Sequence, residues 1–283
     1  MSQNNLSYDE ISRRFEEQKA RESAAGIDAT HQSRLFLHDT AMHYVVVLFH
    51  GFTASPNQYE AFARQLFRAG YDVYVPLAPH HGTGNRYDLS DITIEELKEY
   101  ANAAVAFAAH FGNEIGLIGL SGGGAIATWA AEYCSEVSKL LLLSPFYEPA
   151  ASQAPKWQLP FLKFLYGKHI LPDKFKTRDG SFSFRALANY LRLVDDLKNL
   201  PLLPHLKSIA VVTTAADDQV DLNRAVAIPA LIATTNQLSL LTRELPQELG
   251  IDHAIVDPSA NNVTQNQDWL YQLFQDFYEG HQS

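Results

Sequence analysis

The sequence predicts an α/β fold: a mainly parallel, doubly wound sheet with a helical cap inserted late in the chain. Three observations carry this. Apolar strand-like runs alternate with helical periodicities over most of the 283 residues, the pattern of a parallel sheet covered by helices. One strand is joined to its helix by Gly119-Leu120-Ser121-Gly122-Gly123, a turn too tight for bulky neighbours. Between about Phe146 and Lys207 the alternation breaks into an aromatic-rich stretch, too long to be a loop between adjacent elements.

Residues 8–23 form a charged helical pattern with a thin apolar stripe of Tyr8, Ile11 and Phe15, expected to rest on the domain. Residues 34–38 and 44–49 are strand-like. The second, Tyr44-Val45-Val46-Val47-Leu48-Phe49, is continuously apolar, as a strand covered on both faces is. Tyr59, Phe62, Leu66 and Ala69 keep helical spacing, and Gly70 closes that helix. Val73 to Pro76 is the next strand. Thr93-Ile94-Glu95-Glu96 is a capping box opening an Ala-rich helix that runs to about Phe111. Ile115 to Ile118 is the strand leading into the glycine-rich turn, and Ala125 to Ala131 the helix leaving it. Leu140–Leu143 and Ile209–Thr213 are further buried strands, and a last helix runs from about Thr264 to Glu279. The expectation is one domain over residues 1–283, with residues 147–207 as the cap. Trp157, Phe161, Phe164, Phe182, Phe184 and Tyr190 make this cap apolar.

The bulk numbers exclude several classes. Formal net charge is −10, from 22 Lys and Arg against 32 Asp and Glu. That balance argues against nucleic acid and against anionic membrane surfaces, which demand a basic face. No run approaches the roughly 18 apolar residues that span a bilayer, so stable membrane insertion is not expected. The single cysteine, Cys134, allows no internal disulfide and reads as packing. The first residues, Met1 to Asn5, lack a basic and apolar leader pattern, and a cytoplasmic location is the default expectation.

The Gly-x-Ser-x-Gly turn between a strand and a helix is a nucleophile elbow, which lifts Ser121 above the sheet. A serine hydroxyl needs a base in reach, and that base needs an acid to fix its tautomer. Two histidines follow the strand 209–213, His253 and His281. His281 is third from the end, so His253 is the expected base. Just past that strand stand Asp217, Asp218 and Asp221. An acid three residues before an apolar anchor selects Asp217; a one-residue slip would select Asp218, and Asp221 reads as a helix cap. The backbone N–H groups of Gly122 and Phe52 are the expected oxyanion donors. His50 precedes the serine and is expected to brace that loop. His80 and His81 lack partners at ligand spacing, so no metal is expected. Gly122-Gly123-Gly124-Ala125-Ile126-Ala127 also satisfies a dinucleotide fingerprint. It sits mid-chain, however, and no acid ends the next strand to hold a ribose.

Over nearly its whole length the chain resembles the α/β-hydrolase superfamily, most closely bacterial carboxylesterases and monoacylglycerol-lipase-like serine hydrolases. The residues that carry this are His50-Gly51-Phe52-Thr53-Ala54-Ser55-Pro56, the elbow Gly119–Gly123, and His80-His81-Gly82 in place of a Gly-His-Gly loop. The resemblance implies a Ser-Asp-His esterase that needs no cofactor and whose cap shapes the acyl pocket. Its expected partner is a small ester with an apolar acyl or alkyl group. Thioester hydrolysis or acyl transfer by the same triad, and a non-catalytic binding protein on this scaffold, are the alternatives.

Overall fold

The computed structural model describes residues 6–39, 43–84, 88–176 and 182–281; Met1 to Asn5 lie outside them. In chain order the elements are α1 (Tyr8–Ala24), β1 (Arg34–Phe36), β2 (Tyr44–Phe49), α2 (Glu60–Arg68), β3 (Asp72–Val75) and α3 (Ile94–Ala108). Then come β4 (Glu114–Leu120), α4 (Gly122–Tyr133), β5 (Val137–Leu143), α5 (Leu159–Leu165), β6 (Phe175–Lys176) and β7 (Phe182–Ser183). The chain closes with α6 (Phe184–Asp195), β8 (Ser208–Thr214), α7 (Leu222–Thr235), β9 (Leu240–Leu245) and α8 (Val263–Glu279).

Seven strands form one sheet in the order β1-β3-β2-β4-β5-β8-β9. All neighbours are parallel except β1, which runs antiparallel to β3. The sheet is doubly wound, as predicted. Alternate residues of β2 explain its unbroken apolar run: Val45, Val47 and Phe49 join the core under α1, α3 and α4, while Val46 and Leu48 join the core under α2 and α8. The capping box at Thr93 and Glu96 is formed. Local boundaries differ slightly from the sequence reading. The first strand ends at Phe36, and α3 ends at Ala108.

Strand β9 and helix α7 were not resolved by periodicity. In β9, Leu240-Leu241-Thr242-Arg243-Glu244-Leu245, only Leu245 is buried, because the strand forms the open edge of the sheet. Its side chains therefore carry no two-residue alternation. Asp221 caps α7, accepting from the Arg224 N–H at 3.0 Å.

The chain between β5 and β8 contributes α5, the short β6–β7 pair and α6. Ser183 caps α6 by accepting from the Ala186 N–H. Helix α6 packs on α3 and α4, which brings it to the carboxyl ends of β2 and β4.

Close approach fixes how the helices sit on the sheet. A Cβ at Gly116 in β4 would lie 1.9 Å from Tyr278 Oη of α8. Gly116→Ala should therefore cost about 1–3 kcal/mol or more by overpacking, read as a lowered urea midpoint with unchanged m-value. Shortening the opposing residue, in Gly116→Ala/Tyr278→Leu, should return part of that loss. Additive losses in the double variant would contradict the contact.

Candidate active site

Four strand ends converge on one region. The turn after β4 holds Ser121 at φ 54°, ψ −121°, a left-handed conformation that L residues avoid, at a cost of about 1–3 kcal/mol. The neighbouring glycines make it feasible. A Cβ on Gly119 would lie 2.3 Å from the Gly123 carbonyl oxygen, and one on Gly123 would lie 1.9 Å from the Phe49 carbonyl oxygen. The turn is pinned by backbone bonds: Ser121 N–H donates to Leu143 O, and the Gly124 and Phe146 N–H groups both donate to Ser121 O. The Ser121 side chain does not cap α4, which leaves the hydroxyl for other work at the positive end of that helix.

Past β8, Asp217 is buried. Its Oδ1 accepts from the Gln219 N–H at 2.8 Å and the Val220 N–H at 3.3 Å, and its Oδ2 lies 2.7 Å from His253 Nδ1. With a carboxylate there, Nδ1 carries the proton and Nε2 is left as the acceptor. His253 is 7% exposed, on the loop between β9 and α8. Thr214 Oγ1 donates to Ile251 O at 2.7 Å, which moors that loop to the end of β8. Of the two adjacent acids, Asp217 faces His253 and Asp218 is solvent-exposed. His281 is not in this region; its ring lies near Glu279, at the end of α8. No hydrogen bond joins Ser121 to His253 among the described residues.

The turn after β2 completes the cluster. A Cβ on Gly51 would touch Ser121 Cβ at 3.8 Å, and one on Gly122 would lie 3.1 Å from Phe52 Cβ. The Phe52 and Gly122 turns are thus adjacent. Among the described residues, neither of those two N–H groups donates to a protein acceptor. The Phe52 ring is held edge-on by Phe182 and by Tyr190 of α6, with centroids 5.3 and 5.0 Å away.

Three polar residues hold this turn. His50 is fully engaged: its Nδ1–H donates to Gly51 O, and its Nε2 accepts from the Ala78 N–H. Gln58 Oε1 accepts from the Gly51 N–H at 2.9 Å, and its amide reaches Asp257 Oδ2 on the His253 loop at 3.5 Å. His81 sets Nε2 2.6 Å from Phe52 O and Nδ1 2.7 Å from Pro79 O. The sequence reading anticipated the brace at His50 and missed Gln58 and His81. Gln58 bears no motif, and its role exists only because a helical turn at Pro56–Tyr59 aims it back at Gly51. His80 instead meets Glu96 Oε1 at 3.0 Å.

Burial depresses the basicity of both bracing histidines: His50 falls to about 3, helped by the nearby His81, and His81 moves down for the same reason. The folded chain therefore holds His50 neutral, whereas the unfolded chain protonates it below pH 6.5. Its contribution is complete above that pH and lost as pH falls from 6.5 toward 3, at up to about 1.4 kcal/mol per pH unit. Urea denaturation between pH 7 and pH 4 should show this slope, and His50→Gln should flatten it. An unchanged slope in that variant would contradict the assignment.

A sequence model of the serine aminopeptidase, S33, family matches residues 40–236. No curated protein sequence matches the chain significantly. Among solved structures, the metagenome-derived lipolytic enzymes LipS and LipT give a TM-score of 0.67 at 17% identity, covering 90% of this chain and 100% of that one. A carboxyl esterase from Bacillus coagulans in complex with glycerol gives 0.64 at 17% identity, covering 88% and 93%. A soluble variant of monoglyceride lipase from Saccharomyces cerevisiae, bound to a substrate analog, gives 0.63 at 13% identity, covering 89% and 92%. These likenesses extend the fold over almost the entire chain. By its matched span and its sheet topology, the chain belongs to the serine aminopeptidase, S33, family of α/β hydrolases.

Proposed function

We propose that the chain is a serine esterase that cleaves carboxylic esters through Ser121, His253 and Asp217, with no cofactor. The observation that carries this reading is the pairing of a strained, uncapped serine at the end of β4 with a buried Asp217–His253 pair on the loops after β8 and β9. Ser121 Oγ attacks the ester carbonyl as His253 Nε2 takes its proton. Asp217 keeps Nδ1 protonated and stabilises the imidazolium. The N–H groups of Phe52 and Gly122 donate to the oxyanion of the tetrahedral intermediate. His253 then gives its proton to the leaving alkoxide. Water, activated by the same imidazole, attacks the acyl-enzyme and releases the acid.

The cap, residues 147–207, closes over these groups in this reading. Phe182 and Tyr190 reach Phe52, so the acyl or alkyl chain meets an apolar wall. Esters are favoured over peptides because the wall beside Phe52 is apolar.

A fluorophosphonate probe should label the native chain and fail on Ser121→Ala and on heat-denatured protein. Ser121→Ala should lower kcat on a p-nitrophenyl ester by roughly 10⁴-fold or more. Asp217→Asn should lose about 10⁴-fold, while Asp218→Asn stays near the parent. Labelling that persists without Ser121, or equal losses at the two aspartates, would overturn these roles. Rates that do not change with acyl length would remove the apolar wall from the reading, and faster turnover of aminoacyl nitroanilides would replace the ester class.

A further inference from the structure

We propose that the outer face of the segment between β5 and β8 docks on the interface of an anionic phospholipid bilayer. Helix α5 and the turn before it split into two faces. Leu159, Leu162 and Tyr166 point inward onto the protein. Trp157, Phe161 and Phe164, spaced i, i+4, i+7, point outward at 70, 61 and 59% exposure. Ile170 and Leu171 extend this outer face, folded back by backbone bonds to Leu165 O. Burying three large aromatics is worth several kcal/mol to a soluble protein, yet here they stand in water together.

Charge identifies the occupant. Residues 147–207 carry ten Lys and Arg against five Asp and Glu, a formal +5. The whole chain is −10, which leaves −15 for the remainder. Around the aromatics the lysines are Lys156, Lys163, Lys168 and Lys174. Lys156 bridges to Glu148 and Asp221 but stays 60% exposed, and Lys163 bridges to Asp195. Lys168 and Lys174 are exposed. The one acid within residues 155–174, Asp173, is occupied by Ser183 Oγ and by the Lys174 and Arg185 N–H groups. Exposed Trp and Phe flanked by the exposed Lys168 and Lys174 match the boundary between acyl chains and anionic headgroups. The acidic body is repelled from that surface, which favours approach by this face. A second copy meeting the same face would set the exposed Lys168 and Lys174 against their own counterparts, which disfavours self-association. The docking is peripheral: no described helix is long and apolar enough to cross a membrane. It revises the expectation drawn from net charge alone, because the charge is segregated along the chain.

The proposal does not rest on the esterase reading, since vesicle binding needs no turnover. The full chain is mixed with phosphatidylglycerol or phosphatidylcholine vesicles and assayed by flotation and by tryptophan emission. Binding to phosphatidylglycerol vesicles, weakened by salt, is expected, with a blue shift absent in Trp157→Phe; Trp129 is buried and Trp269 lies elsewhere on α8. Trp157→Ser/Phe161→Ser/Phe164→Ser should weaken binding roughly tenfold or more. Lys168→Glu/Lys174→Glu should weaken binding to phosphatidylglycerol and not to phosphatidylcholine. Quenching of the parent by brominated lipid tests the contact without relying on the multiple variant. No binding to phosphatidylglycerol, or parent-like binding by a folded triple variant, would overturn the proposal. A lipid-free dimer that the triple variant dissolves would assign the face to a second copy instead.

Discussion

The contact between Gly123 and the carbonyl oxygens at the end of β2 is the constraint from which the site follows. A Cβ on Gly123 would lie 1.9 Å from Phe49 O and 2.6 Å from His50 O. Only hydrogen there lets α4 start directly against the strand beside it. That closeness bends the chain through Ser121, holding it in a left-handed conformation. It also seats the first N–H groups of α4 next to the turn that carries Gly51 and Phe52. The serine's position, the turn's position and their spacing all result from one backbone approach. The strain at Ser121 is held by four backbone hydrogen bonds, two of which draw on the neighbouring strand β5 and the chain just beyond it.

The second half of the site is assembled differently. Asp217 and His253 lie 36 residues apart on loops, and loops need mooring. Asp217 uses one carboxylate oxygen on its own turn and keeps the other for the imidazole. His253 is fixed by Thr214 through Ile251 and by the link from Gln58 to Asp257. Gln58 therefore joins the turn after β2 to the loop that bears the histidine. The site is a ring of hydrogen bonds across four strand ends, not a set of independent side chains.

Legibility in the sequence tracks the physical cause. The elbow was readable because steric exclusion leaves glycine as the only residue that fits at positions 119 and 123. The buried strands were readable because two-sided burial demands continuous apolar residues, as in β2. Spacing to an apolar anchor favoured Asp217 over Asp218, but by a single residue of register, which the Thr214 turn sets. Strand β9 escaped because an exposed edge imposes no alternation. Gln58 and His81 escaped because backbone carbonyl and amide groups, which have no sequence identity, are their partners.

The short strand β1 has a consequence of its own. Strand β3 is wholly buried and would otherwise be the margin of the sheet. Three residues of antiparallel pairing, with His38 clasping Asp72, cover it. Helix α1 is then tied on through Gln18 and Glu22 to Ser33, whose hydroxyl also takes the Leu77 N–H. These residues precede the span matched by the family, yet they seal the sheet against pairing with other chains. A version lacking only residues 1–39, with everything from β2 to α8 kept, would present an open, apolar β3 edge, and its first failure would be intermolecular strand addition and precipitation, not a defect in chemistry.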